Sequence, residues 1–533
     1  MAQASSDQLQ ARATRKQLTL VALIVATVTI VFDAFLLSLT APAVTEGLKA
    51  DAATINLAAS ITVLMTAAFS LGGGVLGDIH GRKRILLYGV IGVFGASLLA
   101  MITPSATLLV PVRALAGVAA ALVAPLALAI ISVTFDEKER PKALGTFLAA
   151  IGISGGIGAI VIALINQVLG WRATFGFIAL LAVVSFLMVR RFVQESYGAK
   201  GATVDWPGIG LTAAGLVSLL FGINQLSQAR LTSPTVLVPV LIGIALLVAL
   251  MVYSRRAPHP ALQLRLFEDP RFSVGIVLVV ILAFVQGGGF FLFSIYLQTL
   301  QQVSPVQAAL TLLPHLLAMF VFAILAGRWV GKFSDQKLIA GGLAIMALGA
   351  VVTTLGLSPS AGFLVFLVPL VLLGAGYSIA NTPRLHVVLS SAPPELAGAA
   401  SATNNASIRV GTAFGIAAMG ALFQSSARST FISDMLNAGF STADIRRAAE
   451  VLDAWLKDNT GNIAGEFGIT VQQLQALVGE YQKAFTAGVA DAFLLAAGVA
   501  LIGAALAWFI FRGQRAEQGV PHEAAPTKAQ QEA

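Results

Sequence analysis

Apolar runs long enough to cross a bilayer follow one another with little between them along this chain. A spanning helix needs about 20 predominantly apolar residues. About fourteen such runs stand in order, at 18–42, 54–76, 85–104, 107–133, 142–167, 171–191, 206–226, 233–254, 272–299, 305–328, 337–357, 361–388, 396–425 and 485–511. In lipid every backbone N–H and C=O must be satisfied within the segment, so the runs read as helices. The expected fold class is an all-α polytopic membrane protein, and an even number of spanners places both termini on one side. The first run is too long for the apolar core of a signal peptide, and no small-residue cleavage site follows it, so it reads as a retained spanner.

Composition excludes the soluble alternatives. Of 533 residues, 57% are hydrophobic and 11% charged, with mean hydropathy +0.86. A soluble domain carries about 25% charged residues, so a water-soluble enzyme, a disordered regulator and a nucleic-acid reader are all ruled out. The net charge of +8 sits in short runs between spanners. Counted with the N-terminus inside, inner segments hold roughly 23 Lys/Arg and outer ones roughly 8, most of these in a single long loop. That bias orients both termini to the cytoplasm and places the chain in the cell (inner) membrane. With no cysteine there is no disulfide framework, thiolate metal site or Cys nucleophile. No phosphate-binding loop, metal cluster or catalytic constellation stands out, so neither an enzyme nor a cofactor is expected.

The runs divide the chain into a cytoplasmic tail (1–17), a first bundle of six spanners (18–191), an inserted pair (206–254) and a second bundle of six (272–511). A long outer loop (428–484) interrupts the second bundle, and a polar tail (512–533) reads as disordered. Arg446, Arg447, Glu450, Asp453, Lys457, Asp458 and Glu466 dot the outer loop. Val451, Leu452, Trp455 and Leu456 suggest short amphipathic helices there, serving as a connector or as a lid or docking element.

Between the second and third runs stands Gly74-Val75-Leu76-Gly77-Asp78-Ile79-His80-Gly81-Arg82-Lys83-Arg84. Its glycines permit close helix approach and positive φ. Asp78 suits a neighbouring helix N-terminus, and the basic triplet suits the anionic membrane surface. This segment resembles the signature loop of the major facilitator superfamily, with Ile79 where that family carries a basic residue. A degenerate echo, Gly327-Arg328-Trp329-Val330-Gly331-Lys332 through Lys337, falls at the corresponding place in the second bundle. The parallel halves match the internal repeat expected of that fold.

Fourteen spanners make the chain resemble the drug:proton antiporter branch of that superfamily. Asp33 and Pro42 keep the spacing of its first spanner. Phe290-Phe291 through Gln298 with Leu313-Pro314 resembles its ninth and tenth, and Gly398-Ala399-Ala400-Ser401 through Asn404-Asn405 and Arg409-Val410-Gly411 its thirteenth. Two motifs depart. Arg113-Ala114-Leu115-Ala116-Gly117 lacks a Gln, and Gly158, Ala159, Ile162 and Ala163 stand where the fifth spanner should read Gly-Pro and then Gly-Gly.

A charge at bilayer depth is costly and is a functional candidate by default. Asp33 sits deep in the first run with Thr29, Ile30, Leu36 and Leu37 at helical neighbour positions, none able to neutralise it. An arginine on another helix or a proton must do so, which makes Asp33 either half of a buried pair, a proton carrier or an anchor for a cationic substrate. The resemblance implies a coupling role for Arg113. Arg409 and His315 are further candidates for coupling or substrate contact. Phe290, Phe291 and Tyr296 are expected as an apolar pocket wall. Gln286, Gln298, Asn381, Asn404 and Asn405 read as cavity lining or as interhelical hydrogen-bonders.

The resemblance implies export of hydrophobic or cationic amphipathic compounds in exchange for protons. The alternatives are a proton-coupled symporter or uniporter of a small metabolite, and a non-transporting sensor or scaffold. The expected partners are the small-molecule substrate, protons, membrane lipid and, in a two-membrane cell, an adaptor protein.

Overall fold

The computed structural model describes residues 2–198, 204–225, 233–258, 260, 262–303, 305–457, 467 and 469–511. The polar tail 512–533, together with Asp458 and Glu466, lies outside these. Seven helices form the first part: α1 (Ala2–Leu48), α2 (Ala52–His80), α3 (Arg82–Ile102), α4 (Ala106–Ala121), α5 (Ala124–Thr134), α6 (Arg140–Leu169) and α7 (Trp171–Phe192). Then come α8 (Trp206–Asn224) and α9 (Pro234–Ser254). The second part comprises α10 (Pro270–Ile295), α11 (Pro305–Thr311), α12 (Leu313–Trp329), α13 (Asp335–Gly356), α14 (Phe363–Ser391), α15 (Ala397–Asn437), α16 (Thr442–Lys457) and α17 (Val471–Ile510). Among the described residues the only β pairing is one isolated bridge, Val330 to Phe333.

Among the described residues thirteen segments are long and apolar enough to cross a bilayer, and the 17-residue α12 is a shorter apolar helix in the same series. Their order agrees with the fourteen runs, but local chemistry breaks two of them. The run at 107–133 turns at Leu122–Val123, just ahead of Pro125, and continues as α5. The run at 305–328 breaks at Leu312 before Pro314, leaving α11 and α12. Proline has no N–H to give the preceding turn and crowds its carbonyl, so a helix reaching it ends or bends.

Three other boundaries differ from expectation. The backbone of α1 is helical from Ala2, so the N-terminal tail continues the first spanner. The outer loop is shorter than 428–484, because α15 runs on to Asn437 and α17 begins at Val471 on a Thr470–Gln473 capping box. Between them lies α16. Phe431 and Met435 of α15, Ile445, Ala448 and Leu452 of α16, and Ala484 of α17 give this extension its own small core.

The two halves repeat one packing plan. α1 lies against α6 and α7 as α10 lies against α15 and α17, and α2 pairs with α4 as α12 pairs with α14. Lipid tails are as apolar as leucine, so small residues that let backbones approach carry such packing. A Cβ on Gly117 would overlap the Thr62 carbonyl of α2, and one on Gly376 would meet Met346 N of α13 at 2.5 Å. The α8–α9 hairpin closes the same way, with Gly243 against Leu219. Asp205 caps α8 and accepts a hydrogen bond from Tyr253 of α9 at 2.8 Å. The hairpin packs chiefly through α8 on α2 and α15.

The halves meet along α2–α15 and α6–α12. The face holding the α2–α3, α5–α6 and α14–α15 turns, the start of the first span and the end of α17 is the terminal face. There Leu385 and Leu389 of α14 enter the core of the first half. Arg140 donates to Ser390 Oγ at 2.9 Å, and Lys16 bonds Asp136 at 2.8 Å and Glu139 at 2.6 Å.

Candidate functional site

Among the described residues, four groups of polar side chains set in the apolar interior or at its edge hold the expected site residues. In the first half, α1 brings Asp33 to α4. Arg113 Nη1 donates to Asp33 Oδ1 at 2.6 Å, and Nη2 donates to the Asp33 backbone carbonyl at 2.9 Å; both residues are 1% exposed. The guanidinium stands 5.8 Å over the Phe175 ring, and its Nε has no partner among the described residues. Thr62 and Thr66 of α2 donate to the Arg113 and Gly117 carbonyls at 3.1 Å each, pinning α4 in register. Asp33 is thus half of a buried ion pair, and in this conformation its carboxylate is occupied by Arg113 rather than open to a cationic ligand.

The signature loop builds a clasp between the halves on the terminal face. Asp78 ends α2, and its carboxylate accepts from Gly398 N–H at 3.1 Å and Ala399 N–H at 3.0 Å in the first turn of α15. An anion there meets unpaired N–H groups and the positive end of the helix dipole. Arg82, 1% exposed, bonds Asp78 Oδ1 at 2.8 Å and the Pro394 carbonyl at 2.7 Å. Gly81 makes the turn at φ +103°. A Cβ on Gly74 would overlap the Gly398 carbonyl, and one on Gly77 would overlap Leu126, so both glycines are contact points. Lys83 donates its backbone N–H to Glu195 at 2.8 Å and its Nζ to the Arg190 carbonyl at 2.8 Å.

In the second half, residues of α10, α12, α13, α14 and α17 line a narrow, partly open apolar pocket. Gln286, Phe290 and His315 reach it together. The Gln286 amide nitrogen lies 3.0 Å from His315 Nε2, and Phe290 meets the imidazole edge-on at 4.8 Å between centroids. The other expected wall residues lie elsewhere. Phe291 leans toward Gly420 of α15. Tyr296 is buried and holds Ser358 through both its backbone groups, while Gln298 is exposed on a π-helical turn and bonds Ser294 at 2.7 Å. The aromatics follow one another along α10, so its 100° turn per residue sends them to different neighbours.

Asn381 and Asn404 do not line this cavity either. They surround Arg384, which is fully buried on α14: Asn381 Oδ1 accepts from its Nη2 at 2.8 Å and Asn404 Oδ1 from its Nη1 at 2.9 Å, with the Gly275 carbonyl at 3.2 Å. Asn405 is half-buried and donates to the Ser401 carbonyl at 2.9 Å. Arg409, one turn further along α15, is exposed, and among the described residues it has neither an ion pair nor a hydrogen bond.

Sequence reasoning missed Arg384, Glu195 and the role of Gly398. Arg384 was hidden by its place near the end of an apolar run, where a positive charge passes for topology. Glu195 caps the first turn of α3, accepting from Lys83 N and Arg84 N at 2.8 and 3.1 Å. Its one signal was an acid just beyond the Arg190-Arg191 pair.

The chain resembles known proteins in sequence and in fold. The profile described as Major Facilitator Superfamily matches residues 23–416. The tetracenomycin C resistance and export protein of Streptomyces glaucescens is 28% identical over 516 residues, covering 95% of this chain and 93% of the relative. The cephamycin export protein CmcT of Amycolatopsis lactamdurans is 31% identical over 396 residues, covering 73% and 81%. The solved proton:xylose symporter XylE shares the fold, with a TM-score of 0.58 at 13% identity over 94% of this chain and 96% of that one.

Proposed function

The chain belongs to the major facilitator superfamily, an integral membrane transporter by its spans and relatives, and from that premise we propose that it exports amphipathic, antibiotic-like compounds in exchange for protons. The positive-inside bias supports placing the terminal face in the cytoplasm of a cell (inner) membrane. The structure is then the state closed toward the cytoplasm, held by the Asp78–α15 clasp and the α6–α12 and α14 contacts. Alternating access rocks the halves about their seam, so opening inward must break that clasp.

The observation that carries the coupling is the Asp33–Arg113 pair. A proton delivered to Asp33 turns the carboxylate into a neutral acid and cancels the attraction holding α1 to α4. Arg113 is then left with an uncompensated buried charge, and the helices that present it must rearrange. Loss of that proton on the other side restores the pair. Each proton entering down about 100 mV supplies about 2.3 kcal/mol besides the pH term.

The test uses proteoliposomes with an imposed pH gradient and a panel of amphipathic compounds, following lumenal pH for wild type and Asp33→Asn. Substrate-triggered proton movement opposite to the substrate, lost in Asp33→Asn, is the expected result. Movement of protons with the substrate makes the protein a symporter, the reading favoured by the departures at Ala159, Ile162 and Ala163.

A further inference from the structure

Three arginines lie within the spans well away from both faces or deep in a bundle, and their surroundings differ in kind. Arg113 is matched by Asp33 at 2.6 Å. Arg384 is sealed from solvent and held by the oxygens of Asn381, Asn404 and Gly275. Arg409 is the exception, being exposed with no ion pair or hydrogen bond among the described residues. It lies eleven residues beyond Gly398, which marks the terminal face, or about 16 Å along the α15 axis. That is close to the middle of a hydrocarbon core about 30 Å thick.

The direction in which α15 presents Arg409 follows from its neighbours. Ala402 packs with Leu71 and Val75 of α2 and Ile209 of α8, and Ala413 packs against Leu64 and Ala67 of α2 and Leu220 of α8. Arg409 falls between them at offsets of seven and four residues, on one stripe of the helix. It therefore faces the seam where the halves meet, at the level of α2 between Ala67 and Leu71. A guanidinium exposed at this depth stands in water rather than in lipid, because intramembrane charges are tolerated where a water-filled space or a partner receives them. Among the described residues no carboxylate pairs with Arg409, and Asp33, the one expected at this depth, is already engaged by Arg113.

Accordingly, we propose that Arg409 is an anion subsite in the seam between the halves, and that the transported compounds dock there through an acidic group, a carboxylate or an acidic phenolate on an otherwise apolar frame. This rests on the export reading above and narrows it to acid-bearing amphiphiles. The planar guanidinium presents paired N–H donors that match a carboxylate edge, and the bond gains strength once seam closure excludes water. A docked anion also neutralises Arg409 as the seam closes.

The test is isothermal titration of purified full-length protein with pyrenebutyrate and with its methyl ester, a pair differing only in the charge of one group. The expected result is that wild type binds the acid about tenfold tighter than the ester. Arg409→Gln brings the ratio to about one while leaving ester affinity in place, and that retained ester binding reports a folded protein. Arg409→Lys, which keeps the charge but loses the fork, falls between. Equal binding of acid and ester by wild type, or an acid preference that survives in Arg409→Gln, overturns the subsite. Wild-type binding of neither compound overturns it as well. The proteoliposome assay on the same preparation separates this from the function itself: proton-coupled export without acid preference leaves export standing and removes only the Arg409 claim.

Discussion

Asp78 of the first half caps the first turn of α15 in the second, 320 residues away in sequence, through Gly398 N–H at 3.1 Å. One carboxylate thus joins the bundles that must separate for the terminal face to open. Asp78→Asn keeps the shape but loses the charge that favours the helix N-terminus and holds Arg82. A hydrogen bond to a charged group is worth about 1.5–3 kcal/mol, so the balance shifts toward the open face by about tenfold or more. The chain has no cysteine, so Ala323→Cys, 2% exposed in the closed state, reports opening directly. Its rate of thiol modification rises in Asp78→Asn.

Gly74 tests the same contact by volume. Its missing Cβ leaves room for the Gly398 carbonyl and Ala402. Gly74→Ala forces the helices apart, and overpacking of this kind costs about 1–3 kcal/mol. Gly95→Ala is the control, with nothing within 4 Å of its added Cβ. Uphill export falls in Gly74→Ala and is unchanged in Gly95→Ala.

The Asp33–Arg113 pair separates structure from coupling. Asp33→Asn leaves Arg113 buried without its counter-charge, and removing one member of a buried pair costs about 3–5 kcal/mol. The melting temperature in detergent therefore falls. Asp33→Asn/Arg113→Gln recovers most of that loss because no buried charge remains, yet it does not recover proton-coupled export. Recovery of export by the double variant would remove the pair from the coupling mechanism.

Around Arg384, Asn404→Leu removes one of the two Nη1 acceptors, at 2.9 Å, leaving the Gly275 carbonyl at 3.2 Å and one N–H unsatisfied. A buried polar group left unsatisfied costs about 1–3 kcal/mol, and more for a charged one. Thermal stability drops accordingly, while Asn405→Ala, whose amide serves its own helix at Ser401, has a smaller effect.

On the terminal face, the Lys16 ammonium holds the Asp136 carboxyl below its ordinary value of 3.8. A folded value below the unfolded one means the contact adds stability above about pH 3.8 and loses it as pH falls below that, toward the folded value. Melting curves of Lys16→Met therefore decline less steeply than wild type on that acid side, and the two converge at the lowest pH.

Much of the fold was legible because its cause is local. An apolar run of spanning length is a helix whatever surrounds it, whereas proline ends some of these helices and lies inside others, at Pro42, Pro111, Pro239, Pro369 and Pro383. Prolines 125 and 314 were visible, yet the breaks beside them were not anticipated, since a run of apolar residues gives no sign of where its backbone bends. The outer extension was misjudged for a related reason. Beyond the bilayer the composition turns polar, but α15 and α17 keep their helical geometry by packing on α16.

The candidate residues divide along the same line. Asp33 announced itself, because no residue within one turn could neutralise it. That its partner is Arg113, 80 residues on, depended on α1 and α4 meeting in register. Asn381 and Asn404 read equally well as cavity lining or as hydrogen-bonders, and only the position of Arg384 between α10, α14 and α15 decided it.

By itself, the sequence determined that the chain lives in a membrane, that it crosses as helices, and that Asp33 needs a partner. These rest on transfer free energy and helix geometry, which act residue by residue. Tertiary structure decided which charge meets which: Asp78 on the α15 N-terminus, Arg113 on Asp33, Arg384 among amides and Arg409 with no partner among the described residues. An electrostatic contact falls off over a few ångströms, so it is set by where helices far apart in sequence touch.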